Sequence, residues 1–324
     1  MSDPITLSMR SSHLFVASAL FAALLFALVA WTLGDRFYLR LATEALLFSG
    51  LSLSVGILFG YTGLLPLGQA LFFGFGAYAS ALALRHNPSF WAAIFVVFIA
   101  TLALGIACWL IAGRMRGVYF ALVSFGLAEI VSKAVYNIRW LGASDGLRGI
   151  PIVDIPLGFL SISTDAPLAF FLFALVFVGF LYSVSAYVLD TPLGRGLMAM
   201  KSNERRMRFL GYPVFAARLV AYVLAAEIAA LAGALYPMLR GFVSPDLMYF
   251  SVSTEAIIGV VLGGATMLAG PLYGAVILTV LRSIIASLTQ YHLLVTGLIF
   301  MIAVIFLPRG IIGIAQRSGG GGLD

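Results

Sequence analysis

"GRGLMAMKSNERRMRFLGYPV", Gly194 to Val214, is the stretch on which the reading of this chain turns. It gathers Arg195, Lys201, Arg205, Arg206 and Arg208 around one acid, Glu204, and it lies between the long apolar runs 167–189 and 214–236. A helix needs roughly 20 mostly apolar residues to cross the hydrocarbon core of a bilayer, and the flanking runs meet that length. The basic stretch is therefore a loop between membrane spans, and the rest of the chain is read outward from it.

The same length criterion gives ten apolar runs: 14–33, 41–59, 67–84, 90–112, 117–136, 167–189, 214–236, 250–266, 271–288 and 292–307. Of the 324 residues, 62% are hydrophobic and 10% charged, and the mean hydropathy is +1.08. Soluble domains are nearer half apolar and a quarter charged. The runs are continuous and do not alternate, which excludes a transmembrane barrel. The expected fold is all-α, a polytopic transmembrane helical bundle of about ten spans. "GYTGLLPLGQ" (60–69) and "GGATMLAGP" (263–271) interrupt two pairs of runs with Gly and Pro, so a short or re-entrant helix is open at each. The count falls toward eight if these breaks stay within the membrane. The run 14–33 is longer than a signal-peptide core and lacks a small-x-small cleavage site, so it is read as a retained span. The organisation is a segment 1–13, one membrane domain 14–307, and a Gly-rich tail 308–324.

Lys and Arg set the direction. With the N-terminus inside, the inner segments hold ten (Arg10, Arg114, Arg116, Arg195, Lys201, Arg205, Arg206, Arg208, Arg309, Arg317) and the outer segments six (Arg36, Arg40, Arg85, Arg139, Arg148, Arg240). That agrees with the excess of basic residues in cytoplasmic loops. The net charge of +6 is explained in the same way, and with no soluble basic domain, nucleic acid is not an expected partner. The loop 190–213 then faces the cytoplasm. The loop 137–166, with Asp145, Asp154, Asp165 and the turn-forming "SDGLRGIP", faces outward.

Enzyme chemistry is missing. No GxxxxGK[ST] phosphate loop is present, and the only lysines, Lys133 and Lys201, do not follow a glycine. HExxH, CxxC and GxSxG are absent as well. His13, His86 and His292 lie far apart, and Cys108 stands alone in an apolar run. The chain is expected to be a transport subunit that binds no metal or cofactor of its own.

Charges inside the spans are the positive signal. Glu44, Glu129, Glu227 and Glu255 lie there with Lys133, Arg218 and Arg282. A charge at the bilayer centre costs roughly 2.5–3.5 kcal/mol on insertion scales, so such residues face helices or water. Each has a plain reading. Glu129 and Lys133 are spaced to pair on one helix face. Arg218 can snorkel to its span's inner end. Glu44 and Glu255 lie within about a turn of the outer ends, where water reaches them. Glu227, mid-span in "LAAEIAALAGAL", is the hardest to dismiss. "TEALL" (43–47) and "TEAII" (254–258) match, but the pair is too short to establish an internal repeat. The GxxxG pairs Gly56/Gly60, Gly259/Gly263 and Gly270/Gly274 predict close helix packing.

Within the basic loop, Thr191 and Pro192 read as an N-cap and first helical position. A helix follows to about Met200. Ser202 or Asn203 caps a second through "ERRMRFL", Gly211 sits at its C′ position, and Pro213 bars continuation. Leu197, Met198, Met200, Met207, Phe209 and Leu210 are its apolar side chains. A topology signal, an amphipathic surface on anionic lipid and a docking element for a partner all fit this pattern.

"GLMAMKSNERRMRFLGYPVFAARLVAYVLAAEIAALAGALY" resembles the central cytoplasmic loop and following helix of the branched-chain amino acid ABC importer permeases, more the LivM type than its LivH-type sister. "GYTGLLPLGQALFFGFGAYASA", "RMRGVYFALVSFGLAEIV", "LGASDGLRGIP", "VVLGGATMLAGPLYGAVIL" and "LPRGIIG" resemble further family segments in the same order, from about Glu44 to Gly313. The resemblance implies an ABC importer permease in the bacterial inner membrane, multi-pass with a cytoplasmic N-terminus. Implied partners are a homologous LivH-type permease, two cytoplasmic ATPases that carry ATP and Mg, and an external solute-binding protein. The loop would be the coupling element, with Arg195, Lys201, Asn203, Glu204, Arg205, Arg206 and Gly211 at the ATPase. The path would involve Gln69, Glu129, Glu227 and Glu255. "NERRMRFLG" departs from the acidic and alanine-rich residues of many members, and Gln69 stands where some have His. Urea or short-amide import is the rival within the class. A proton-coupled secondary transporter, suggested by the intramembrane glutamates, is the rival outside it.

Overall fold

The computed structural model describes residues 36–157, 160–265 and 267–288, with 291, 294–295, 297–298, 301 and 310 beyond them. The helices in chain order are α1 (Arg36–Gly56), α2 (Ala70–His86), α3 (Phe90–Ala112), α4 (Val118–Asn137), α5 (Pro167–Asp190), α6 (Pro192–Ser202), α7 (Glu204–Phe209), α8 (Val214–Ala234), α9 (Tyr236–Arg240), α10 (Phe250–Gly263) and α11 (Gly270–Leu288). A π-helical turn, Ile57–Thr62, extends α1.

The helix α1 is the axis of the bundle. Leu47, Leu51, Leu53 and Val55 are all fully buried, and α11, α8, α5 and α10 pack around it. Small and hydroxyl residues make this crowding feasible. Gly50 meets Ala232 of α8, where an added Cβ would lie 2.6 Å from the alanine methyl. The hydroxyls of Ser49 and Ser54 donate to the carbonyls of Leu46 and Leu51 at 2.6 and 2.7 Å, so they stay satisfied without water. By contrast α3 and α4 have bulky apolar outer faces, with Phe95, Leu110, Val118, Tyr119, Leu122 and Ile130 exposed, as suits helices bordering lipid or another subunit.

Six described helices are long and apolar enough to cross a membrane: α1 with its π turn, α3, α4, α5, α8 with α9, and α11. The count of about ten is not reached among the described residues. The run 14–33 lies outside them, as does most of 292–307. Two further runs form shorter helices, α2 with 17 residues and α10 with 14. Gly63 takes φ +72° after the π turn, and α2 begins only at Ala70. The helix α10 has 14 residues, which at about 1.5 Å each spans about 21 Å, short of a hydrocarbon core of about 30 Å. Gly264 at φ +109° turns the chain toward α11. Gly274 lies directly on the Gly259 carbonyl, and Gly263 on that of Gly270. The GxxxG pairs of this hairpin serve packing.

The fold is not purely helical. The loop 137–166 contains the hairpin β2 (Asp154–Leu157) and β3 (Leu160–Ser163), which pairs Ile155 with Ile162. Its strand β1 (Leu147–Arg148) pairs with β4 (Phe242–Val243), tying the loop to the segment after α9. Trp91 also donates to the Pro156 carbonyl at 2.9 Å.

Candidate functional site

The basic loop folds as two short helices. Asn203 is the effective cap of α7: its side-chain oxygen accepts from the Arg206 N–H at 2.9 Å. Thr191 stands at the N-cap position of α6 but makes no cap bond; its hydroxyl donates back to the Val188 carbonyl of α5. At the other end Gly211 takes φ +77°. Its N–H reaches the Arg208 carbonyl and the Tyr212 N–H reaches that of Met207, the Schellman arrangement.

The loop is fastened to the spans at two points. The Lys201 ammonium donates to the Gly60 carbonyl at 2.6 Å, inside the π turn of α1. Gly60 in turn lies against the Ala265 carbonyl between α10 and α11; a Cβ there would come within 2.6 Å. The second point is Glu204, which accepts from Arg218 of α8 at 3.0 Å and pairs with Arg208 and with Arg116, the latter at 3.4 Å. Arg218 is thus held in a partly buried pair with the loop at the inner end of its span. Burial alone would raise the Glu204 carboxyl. The charge and hydrogen bond of Arg218, with Arg116 and Arg208, outweigh it and hold the group below the usual carboxylate range.

The apolar side chains of the loop divide between two directions. Leu197 and Met200 are buried against the bundle, whereas Phe209 and Leu210 are 85% and 75% exposed. Arg195, Arg205 and Arg206 are exposed too, and no carboxylate among the described residues pairs with them. The loop therefore presents cationic and apolar groups outward from a braced platform.

At the opposite end of α1 lies a cavity of about 940 Å³ between α1, α9, α10 and α11. Two ion pairs line it: Arg240 with Glu44, and Arg282 with Glu255, each at 2.5 Å. Arg36, Arg40 and Asp246 add further charge, and Phe48, Val252 and Leu278 supply apolar wall. Glu44 and Glu255 are consequently not simply solvated span ends.

The four residues expected along the path are not gathered in one place. Glu255 lines this cavity. Gln69 is buried before α2, with its side-chain amide nitrogen unpartnered. Glu227 is buried in α8, and neither carboxylate oxygen has a hydrogen-bond donor. Glu129 is half-buried on α4, and among the described residues no ion pair joins it to Lys133. Glu44, Arg240 and Arg282 were not singled out as a site from sequence. The signal was present in "TEALL" and "TEAII", whose glutamates face the same cavity.

Apolar helices around a packed axis, with a braced basic loop at one end and a charged cavity at the other, are the build of a membrane permease subunit. A family model described as "Branched-chain amino acid transport system / permease component" matches residues 37–304, and the chain belongs to that family. The high-affinity branched-chain amino acid transport system permease protein LivM of Salmonella typhimurium is 29% identical over 313 residues, covering 90% of this chain and 73% of that protein. LivM of Escherichia coli K12 matches with the same identity and coverage. The ribose import permease protein RbsC of Haemophilus influenzae is 26% identical over 274 residues, covering 81% of this chain and 78% of that protein.

Proposed function

We propose that this chain is the permease subunit of an ATP-driven importer that carries branched-chain amino acids across a bacterial inner membrane by alternating access. The single observation that carries the coupling part is the seating of the basic loop: Lys201 on the Gly60 carbonyl and Glu204 on Arg218. The family, and the printed descriptions of the two LivM relatives, support the solute.

In this reading the loop 190–213 and both termini are cytoplasmic, and 137–166 faces outward. Two ATPases bind and hydrolyse ATP with Mg. Their closure pushes on Arg195, Arg205, Arg206, Phe209 and Leu210. The push passes through Lys201 to the inner end of α1, and through Glu204 to α8. A second, LivH-type permease completes the path, and a solute-binding protein delivers to the outer face. Gln69, Glu129 and Glu227 are proposed to act along that path.

Glu227, buried without a donor, favours a second reading, a proton-coupled transporter, because an uncompensated carboxylate in a span is costly unless it takes a proton or a partner. Reconstitution in proteoliposomes with the cognate partners separates the two. Leucine uptake that requires ATP and the ATPases is expected. Uptake driven by a proton gradient alone would overturn the ATP-driven reading, and uptake of urea in place of leucine would overturn the solute.

A further inference from the structure

The matched pentapeptides "TEALL" and "TEAII" acquire a meaning once folded. They lie on α1 and α10, which pack together, and the Ser52 hydroxyl donates to the Ala256 carbonyl between them at 3.3 Å. Their glutamates, Glu44 and Glu255, face one cavity, and each is paired with an arginine from a different element, Arg240 at the end of α9 and Arg282 on α11. The cavity thus carries two sets of adjacent opposite charges in similar settings.

We propose that this cavity is a binding site for a zwitterionic α-amino acid: a guanidinium takes the α-carboxylate, a glutamate takes the α-ammonium, and the apolar wall takes the aliphatic side chain. The assignment rests on the function proposed above and names the site at which that solute is recognised by the permease itself.

Three features favour a ligand site over a simple lock between helices. The first is accessibility. The Arg240 and Arg282 side chains are 46% and 43% exposed, while Glu44 and Glu255 are 14% and 28% exposed, so the cationic heads are reachable from the cavity. The second is unused donor capacity. A guanidinium carries five N–H donors in a planar fork, and its glutamate takes only part of them, leaving donors for a solute carboxylate. The third is the neighbourhood. Phe48, Val252 and Leu278 line the same space of about 940 Å³, which is within the range of small-molecule pockets, about 300–1,000 Å³. Charged heads beside an aliphatic wall match an α-amino acid with a branched side chain. An inorganic anion would answer only the guanidinium groups and leave the glutamates without a cationic partner.

The test uses the complete importer complex with Cys108→Ser and Ser283→Cys, which places one thiol on the cavity wall. The rate of modification by a small cationic methanethiosulfonate is followed with L-leucine, isopentylamine or 4-methylpentanoate at equal millimolar concentration. Leucine is expected to slow modification several-fold, and the two analogues, each lacking one charge, to have much less effect. Adding Glu255→Gln is expected to abolish the protection. Absence of protection by leucine, or equal protection by either analogue, overturns the site. A charge swap, Glu255→Arg with Arg282→Glu, keeps an ion pair between α10 and α11; wild-type uptake by that variant would show a helix lock and overturn the site as well. Leucine uptake by the unmodified complex is measured in parallel. Its failure refutes the function proposed above, whereas uptake without protection refutes only this cavity.

Discussion

The two ends of α1 use the same residue types in different proportions. At the loop end one carboxylate, Glu204, is shared by Arg116, Arg208 and Arg218. At the cavity end each glutamate has its own arginine. A shared acid gathers three elements onto one point, and it leaves a cationic surplus at Arg205 and Arg206. That suits a loop braced from behind and presented to an acidic partner. The two pairs balance each other, and although Arg36 and Arg40 outnumber Asp246 beside them, both signs are offered side by side, which suits a dipolar solute. The geometry between the ends is equally simple. Glu44 and Gly60 are sixteen residues apart on one nearly continuous helix, about 24 Å at 1.5 Å per residue. Lys201 therefore touches the same rod whose other end lines the cavity.

The largest expected effect breaks the loop end. Met207→Pro removes the N–H that reaches the Asn203 carbonyl and introduces a residue that costs about 3 kcal/mol in a helix interior. Solute-stimulated ATP hydrolysis and uptake should collapse while the membrane domain still purifies folded. If coupling survives intact, the loop is only a topology signal. Glu204→Gln comes next. It leaves Arg218, whose side chain is 11% exposed, without its counter-charge, and losing a partner of this kind costs about 1–3 kcal/mol. Faster proteolysis within 190–213 is the measurement.

Lys201→Met sharpens the comparison by keeping the aliphatic stem and deleting one bond, a loss of about 1 kcal/mol. Less solute should be moved per ATP hydrolysed, with ATPase binding unchanged; an unaltered ratio would remove Lys201 from the linkage. The smallest effects distinguish two caps. Asn203→Ala should lower loop stability by about 1 kcal/mol. Thr191→Ala should do less, because its hydroxyl is turned to Val188. Acid sensitivity follows the depressed Glu204 carboxyl. Its contribution is present above the unfolded value of about 4.3 and is lost only as pH falls further, through the folded value. Protease resistance of the loop should therefore be flat from neutral pH down to that region.

Much of the loop was legible because capping is local chemistry. Pro192, Asn203, Gly211 and Pro213 each act within about a turn of their own position, so spacing alone marked where α6 and α7 begin and end. The sequence left Ser202 and Asn203 open as caps, and side-chain geometry chose Asn203. The partner of Arg218 was not legible, because Glu204 lies fourteen residues away on another helix. The pairing expected for Glu129 and Lys133 from their spacing does not occur among the described residues. The strands of 137–166 were hidden because two- and four-residue pairings carry too little periodicity to stand out from a turn-rich loop.

By itself the sequence determined that this is a helical membrane protein with a basic, two-helix loop, since hydrophobic length and local caps need no long-range information. Only the tertiary structure decided which charges meet. Glu44 and Arg240 are 196 residues apart, Glu255 and Arg282 are 27 apart, and Lys201 and Gly60 are 141 apart. A charge in an apolar span must find a counter-charge or water because isolated burial is costly. The sequence states that requirement, and helix packing alone supplies the partner.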